Sequence, residues 1–112
     1  MSDLSPPSGT RLGHLDQLDD PGACLSEWQE DAVILVRKGD EVRAYLNVCP
    51  HAGRPLNLPD GRVFLHQGEF ILCPVHGASF DLVNGQCAGG PAVGDRLTEI
   101  AIRLEDQEIW AA

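Results

Sequence analysis

Two short stretches constrain the fold of this chain more than any other feature, because each joins a cysteine to a histidine. They read Cys49-Pro50-His51 and Cys73-Pro74-Val75-His76, and residues 52–72 separate them. Four cysteines in a secreted protein would suggest two disulfides, whereas the same count in an intracellular chain indicates metal binding or thiol reactivity. A histidine close behind two of these cysteines favours metal. We therefore expect the fold to bring together four ligands: Cys49, His51, Cys73 and His76.

The bulk properties of the sequence limit the classes of function. A chain of 112 residues suits one domain. Residues 1–15 lack the basic start and apolar run of a signal peptide, and no stretch approaches the roughly 20 apolar residues of a membrane helix. These features predict a cytoplasmic monomer. A net charge of −9 disfavours nucleic acid and anionic lipid as partners, and either favours a basic protein surface or serves solubility alone.

The first half of the chain shows the pattern of a β-hairpin. Val33–Val36 is an apolar run, and Val42–Val48 alternates apolar with polar residues, as a half-buried strand does. Gly39-Asp40 lies between them and suits a tight turn with glycine at the first central position. Leu12–Leu18 is the best helical candidate, and its periodicity is weak.

Further strand signals follow in the second half of the chain. Asn84-Gly85 predicts a turn after a strand at Ser79–Val83, and turn residues on both sides of Arg62–His66 predict one more small hairpin. Thr98–Glu105 alternates over its whole length, with Glu108–Trp110 as its expected partner. The sequence therefore predicts an all-β domain of short strands, a sandwich or a barrel.

The composition of the two cysteine loops distinguishes between metals. Each loop leaves its strand through a proline, and glycine follows at Gly53 and Gly77, where the backbone can turn tightly beside a bound group. Zinc fits two cysteines and two histidines. Zinc knuckles usually pair like ligands, however, whereas both loops here are mixed. A binuclear cluster explains the mixture if one iron takes both cysteines and the other takes both histidines.

In this respect the chain resembles the Rieske [2Fe-2S] proteins, whose pattern is C-x-H, a spacer, and C-x-x-H. The matching segments are C-P-H-A-G-R-P-L and C-P-V-H-G-A-S-F-D, and the resemblance extends over residues 10–110. It implies one [2Fe-2S] cluster in a single domain at 10–112. Residues 1–9 are polar and rich in proline and glycine, and are expected to form a disordered tail. The resemblance also implies a β base domain with a cluster-binding subdomain inserted at about 48–80. The spacer is longer than is usual in the family, a difference that we assign to a hairpin at Arg62–Phe70.

The residues that match the family's tuning positions imply a low potential. High-potential respiratory members have an extra cysteine in each loop, joined by a disulfide, where this chain has Arg54 and Val75. Those members also have a serine and a tyrosine that donate hydrogen bonds to the cluster sulfurs, where this chain has Ala78 and Phe80. Fewer donors leave the reduced cluster less stabilised. The chain therefore resembles a soluble, low-potential Rieske ferredoxin.

The resemblance implies an electron carrier that takes single electrons from a flavin-dependent reductase and passes them to a terminal Rieske oxygenase. Two alternatives are the small subunit of an assimilatory nitrite reductase and, in a different class, a zinc-stabilised interaction module. An oxygenase in its own right needs a second, mononuclear iron with two histidines and a carboxylate. Only His14 and His66 remain for such a site, and surface or packing roles are expected for both.

Three other residues carry expectations of their own. Cys24 and Cys87 have no partner pattern and are expected to be buried or half-buried cysteines without a disulfide. Pro91 is expected, from the resemblance alone, to support the two cysteine loops as part of a third loop.

Overall fold

A computed structural model describes residues 6–26, 28–29, 32–50, 53–74, 77–90 and 94–112. The described residues form short strands and a single turn of 3₁₀ helix at Leu15–Gln17. The strands are β1 (Arg11–His14), β2 (Gly22–Leu25), β3 (Val33–Lys38), β4 (Glu41–Leu46), β5 (Leu65–His66), β6 (Phe70–Leu72), β7 (Ser79–Asp81), β8 (Cys87–Gly89), β9 (Glu99–Ile100), β10 (Ile102–Glu105) and β11 (Glu108–Ala111). The all-β prediction is confirmed. Within this part of the chain, no helix has the length and apolar character that crossing a membrane requires.

The strands pair in three antiparallel sheets. The outer sheet has the order β1-β11-β10, the middle sheet β2-β3-β4-β9, and the third sheet β5-β6-β7-β8. The predicted hairpin about Gly39-Asp40 joins β3 to β4, with Lys38 opposite Glu41. The turn predicted at Asn84-Gly85 joins β7 to β8, whose Phe80 and Cys87 are opposite each other.

Strand β3 explains why the domain has three layers. Its first four residues are all buried, so both faces of the strand are covered. An uninterrupted apolar run is typical of such a strand, because successive side chains point to opposite sides of the sheet. Val33 and Leu35 pack into one buried cluster, while Ile34 and Val36 pack into another. The middle sheet therefore separates two cores.

Each core has its own set of buried side chains. The core on the side of the outer sheet consists of Leu12, Leu18, Val33, Leu35, Val42, Ala44, Ile100, Ile109 and Ala111. The core on the side of the third sheet, called the loop core below, consists of Ile34, Val36, Tyr45, Cys49, Leu56, Ile71, Cys73, Ala78, Phe80, Leu82 and Leu97. Both cysteines of the predicted ligand set belong to the loop core.

The third sheet lies in a long excursion from the middle sheet. The chain leaves the middle sheet at the end of β4, at Leu46, and returns to it at β9, where Ile100 is opposite Ala44. All four strands of the third sheet lie between these points. The last strand of this sheet, β8, ends at Gly89. The cluster-binding subdomain at about 48–80 stays a prediction. Of the expected tail at 1–9, residues 1–5 lie outside the described residues, and the Gly9 N–H donates to the Ala111 carbonyl over 2.8 Å.

Three predicted elements differ from the structure in extent. The run Thr98–Glu105 is not one strand: it divides at Ala101, so that β9 pairs with β4 and β10 pairs with β11. Val48 is not part of β4, which ends at Leu46, and its side chain is 37% exposed. Leu12–Leu18 begins as strand β1 and contains only the one 3₁₀ turn. At Thr98–Glu105 and Leu12–Leu18, pairing with a distant strand overrides the local pattern. At Val48 the backbone turns instead, and the Val48 N–H donates to the Leu46 carbonyl over 2.9 Å.

Tyr45 links the middle sheet to the third sheet. Its side chain is fully buried in the loop core, and its hydroxyl donates to the Leu82 carbonyl over 2.9 Å. Burial, with a smaller contribution from the negative charge of Glu99, raises the pKa of Tyr45 well above its ordinary value. The folded protein therefore holds this phenol in its neutral form.

We expect the free energy of unfolding to fall in alkaline solution because of Tyr45. In the unfolded chain the phenol ionises at its ordinary pKa of 10.0, while in the folded chain it stays neutral to higher pH. Its contribution to stability is thus complete below that pH and is lost as the pH rises through the folded-state pKa. Tyr45→Phe should lower stability by about 1 kcal/mol at neutral pH, because the Leu82 carbonyl loses its donor. Denaturant titrations at rising pH should show a shallower alkaline decline for the variant, and parallel curves would contradict this role.

Candidate metal centre

The first cysteine loop closes on itself through two backbone hydrogen bonds. The Cys49 N–H donates to the Arg54 carbonyl over 2.8 Å, and the Gly53 N–H donates to the Cys49 carbonyl over 2.7 Å. Gly53 has a φ of +65°, in the left-handed region that glycine adopts without strain. A Cβ at Gly53 would meet no atom within 4 Å, so the turn itself, not crowding, requires glycine there.

The second cysteine loop repeats this arrangement directly after β6. The Cys73 N–H donates to the Ala78 carbonyl over 2.7 Å, and the Gly77 N–H donates to the Cys73 carbonyl over 2.9 Å. Gly77 has a φ of +75° and the same open space beside it. The two loops therefore share one backbone geometry, although their cysteine-to-histidine spacings differ. The sequence contains a signal for this shared geometry, because a glycine stands at the fourth position after both Cys49 and Cys73.

The structure brings Cys49 and Cys73 into the same buried environment. Their relative exposures are 0% and 1%, and both belong to the loop core with Ala78 and Phe80. The other two predicted ligands, His51 and His76, lie outside the described residues, as does Val75. No group of three or more metal-binding side chains occurs among the residues that the structure does describe.

The two remaining cysteines lie apart from this pair. Cys24 is half-buried and packs against the core beneath the outer sheet. Cys87 is half-buried, packs against the loop core, and its thiol donates to the Gly89 carbonyl over 3.1 Å. The expected burial of Cys24 and Cys87 is confirmed, and their location against different cores agrees with the absence of a bridge between them.

The two remaining histidines have the surface and packing roles that the sequence suggests. His14 caps the 3₁₀ turn: its Nδ1 accepts from the Asp16 N–H over 3.1 Å and lies 2.7 Å from the Asp16 carboxylate. His66 ends β5 and is exposed. Neither belongs to the loop core.

A buried asparagine, which the sequence did not single out, holds the chain beyond the first loop. Asn47 is 3% exposed, and its Oδ1 accepts from the Leu56 N–H over 2.7 Å. Its Nδ2 donates to Asn57 Oδ1 over 2.8 Å, and Asn57 Nδ2 donates in turn to the Leu58 carbonyl over 2.8 Å. The sequence signal for this role was an asparagine within the strand-like alternation of residues 42–48, two positions before Cys49.

Gly90 brings a third segment against the second cysteine loop. A Cβ on Gly90 would lie 2.8 Å from the Ala78 Cα, 3.2 Å from the Ala78 nitrogen and 3.3 Å from the Gly77 carbonyl oxygen. Only glycine permits backbone to approach backbone so closely. Pro91, which was expected to support the loops, lies outside the described residues. Its neighbour Gly90 nevertheless shows that the chain passes directly beside the second loop.

The donor set fits an iron–sulfur cluster. Two cysteines, on loops of matching geometry, lie in one apolar core. Two ferric ions, two sulfides, two thiolates and neutral histidines sum to zero charge, so an oxidised cluster of this composition suits such a core. The fold and this pair of loops define an all-β iron–sulfur protein.

Comparison with known proteins establishes the family. The family sequence model of the Rieske [2Fe-2S] domain matches residues 10–103 of this chain. The chain therefore belongs to the Rieske family. A solved ferredoxin of carbazole 1,9a-dioxygenase from Nocardioides aromaticivorans IC177 is 29% identical, with a TM-score of 0.71 over 95% of this chain and 98% of that one. A solved ferredoxin of Sphingomonas yanoikuyae B1 shares the fold at 24% identity, with a TM-score of 0.71 over 92% and 96% of the two chains.

A cytochrome bc1 complex Rieske iron-sulfur subunit from Streptomyces lividans is similar over a shorter length. It is 30% identical over 82 residues, which make up 72% of this chain and 39% of that protein. The chain thus spans well under half of this relative. Family membership makes the cofactor of the chain a [2Fe-2S] cluster and the chain a Rieske-domain electron carrier.

Proposed function

We propose that this chain is a low-potential Rieske ferredoxin that takes single electrons from a flavin-dependent reductase and passes them to a terminal Rieske oxygenase. Cys49 and Cys73 would hold one iron of its cluster, and His51 and His76 the other. The observation that supports this ligand assignment is the matched pair of hydrogen-bonded loops, which start at two cysteines of one buried core. When bound, the cluster accepts and releases one electron.

The chain's own residues supply the environment of that cluster. The loop core excludes water from the two cysteines, and the hydrogen bonds that close the loops hold their backbones in place. A rigidly held site changes little between redox states, which favours rapid transfer of one electron. The chain would be a carrier and not the oxygenase, because His14 and His66 are the only histidines outside the proposed ligand set and neither belongs to the loop core.

Similarity to a dioxygenase ferredoxin supports the assignment to an oxygenase system. The Nocardioides aromaticivorans protein is a ferredoxin of carbazole 1,9a-dioxygenase, and it matches this chain over nearly the whole length of both. The tuning positions agree with this assignment, because Arg54 and Val75 stand where respiratory members have their disulfide.

The midpoint potential is expected to lie near the bottom of the Rieske range, at about −150 mV. Ala78 and Phe80 are 1% and 0% exposed in the core that holds both cysteines, and neither side chain can donate a hydrogen bond. Ala78→Ser and Phe80→Tyr should each raise the potential by adding a donor beside the cluster. Phe70→Tyr is the matched control, because Phe70 is half-buried in β6 outside the loop core and should leave the potential unchanged.

These potentials are measured by a potentiometric titration in which EPR spectroscopy monitors the reduced cluster. A wild-type midpoint above about +100 mV would contradict the low-potential assignment. Equal shifts of the potential in Phe70→Tyr and Phe80→Tyr would show that a hydrogen bond from position 80 to the cluster is not the cause of the shift.

Reconstitution tests the proposed function as a whole. The purified chain should contain iron and labile sulfide in the ratio of a [2Fe-2S] cluster, and it should be reduced by NAD(P)H only when a flavin-dependent reductase of the same organism is present. When the organism's terminal Rieske oxygenase is added, the reduced chain should be reoxidised, and the amount reoxidised should be proportional to the amount of product that the oxygenase forms. Stoichiometric zinc without iron would overturn the cofactor, and a chain that is never reoxidised by such an oxygenase would overturn the function.

A further inference from the structure

An apolar trough lies beside the two cysteine loops. It has a volume of about 560 Å³ and is lined by Arg54, Pro55, Asn57, Leu58, Pro59 and Pro74. Arg54 closes the first loop through its carbonyl, and Pro74 directly follows the second cysteine. A molecule seated in the trough would therefore touch both loops. Leu58 and Pro59 come from the spacer between the two loops.

The trough is rigid and offers few polar groups. Three of its six lining residues are prolines, which have little conformational freedom to lose on binding and no N–H to hydrate. The Asn57 amide is engaged on both sides, by the Asn47 amide and the Leu58 carbonyl. The Leu58 N–H donates to the Arg62 carbonyl over 2.7 Å. Arg54 is the charged side chain of the lining, and its guanidinium can donate hydrogen bonds to a bound partner.

Arg54 also differs from the other basic residues of this acidic chain. Within the described residues, its exposed guanidinium contacts no acid and no carbonyl. The other seven of the eight basic side chains each have such a partner: Arg11 with Glu108, Arg37 with Gly39, Lys38 with Glu69, Arg43 with Glu41, Arg62 with Asp60, Arg96 with Asn84, and Arg103 with Glu105. An arginine held at the edge of an apolar surface is well suited to pair with a carboxylate.

We propose that this trough is the docking surface for the protein that accepts the electron, which inserts an apolar side chain between the prolines and places a carboxylate on Arg54. The inference rests on the proposed function, because it names the chemistry of that partner. A net charge of −9 repels acidic surfaces at long range, so the partner's face is basic or neutral overall with an acid at the contact. The negative electrostatic field of this chain attracts such a partner, and Arg54 fixes the orientation in which the partner binds.

Arg54→Glu, compared with Arg103→Glu, tests this proposal. Both variants change the net charge equally, but Arg103 lies in β10 of the outer sheet, away from the cysteine loops. The binding partner is the terminal oxygenase identified by reconstitution, with both proteins oxidised so that driving force plays no part. Surface plasmon resonance at physiological ionic strength should show the dissociation constant rising about tenfold or more for Arg54→Glu and less than about threefold for Arg103→Glu. Iron content and EPR spectra should match the wild type in both variants.

A charge-swap experiment separates direct pairing from a general field effect. Acidic residues on the oxygenase surface are changed to lysine one at a time, and one of these variants should restore binding to Arg54→Glu while weakening binding to the wild type. Equal losses in Arg54→Glu and Arg103→Glu, or no loss in either, would overturn the docking surface and leave the proposed function standing. An oxygenase that never binds or oxidises the wild-type protein would overturn both.

Discussion

Replacing Cys73 with serine should leave the purified protein without its [2Fe-2S] cluster. Serine is close in size to cysteine, so the loop core loses little packing, but its hydroxyl is a poor substitute for an iron-binding thiolate. Cys73 is 1% exposed, and its backbone holds the second loop through bonds to Ala78 and Gly77. Cys49→Ser should have the same effect, because the first loop has the same geometry. Iron and labile-sulfide analysis, the visible spectrum and EPR of the reduced protein measure the loss.

Cys87→Ser is the matched control for these variants. Cys87 is half-buried against the same core, and its thiol donates to the Gly89 carbonyl, a bond that a serine hydroxyl can also make. This variant should retain its iron, its sulfide and its spectrum. A full cluster in Cys73→Ser, or an equal loss in Cys87→Ser, would contradict the ligand assignment.

Changing Gly90 to alanine should displace the second cysteine loop and weaken cluster binding. The new Cβ would lie 2.8 Å from the Ala78 Cα, a contact with backbone that no side-chain rotation relieves. Forcing an extra carbon into a closely packed site typically costs about 1–3 kcal/mol. Because the Ala78 carbonyl accepts from the Cys73 N–H, movement of Ala78 would be transmitted directly to a proposed ligand. We expect faster loss of iron to a chelator and an altered EPR spectrum.

Gly94→Ala separates this contact from simple backbone strain. Gly90 and Gly94 have φ values of +88° and +100°, so alanine is disfavoured by the backbone at both positions. A Cβ at Gly94, however, would meet no atom within 4 Å. The control should therefore lose some thermal stability while keeping the wild-type spectrum and rate of iron loss. Identical spectra and rates in the two variants would show that Gly90 does not position the loop.

Much of the architecture could be predicted because it depends on residues that are near one another in the chain. The apolar run at Val33–Val36 indicated a strand, and Gly39-Asp40 indicated its turn. The two cysteine loops carried their own signals of metal type in their ligand order and glycines. These features are local, since side-chain alternation and backbone turns are set by a few consecutive residues.

The boundaries of those elements depended on distant partners. Alternation continues without a break through Thr98–Glu105, yet the pairing passes from one sheet to another at Ala101. Leu104 occupies one of the apolar positions of that alternation, yet its side chain is 45% exposed. Period-two patterning identifies a strand but does not identify which sheet the strand joins or which of its faces is covered.

By itself, the sequence determined the strand-rich class, the two loops that each join a cysteine to a histidine, and the excess of negative charge, because composition and short spacings belong to the chain in any conformation. Only the tertiary structure decided that Cys49 and Cys73 share one buried core, that Gly90 lies against Ala78, and that Arg54 borders an apolar trough. These contacts join residues far apart in sequence. They form because packing three sheets leaves few arrangements that bury most of the apolar side chains, and no local pattern records which arrangement is reached.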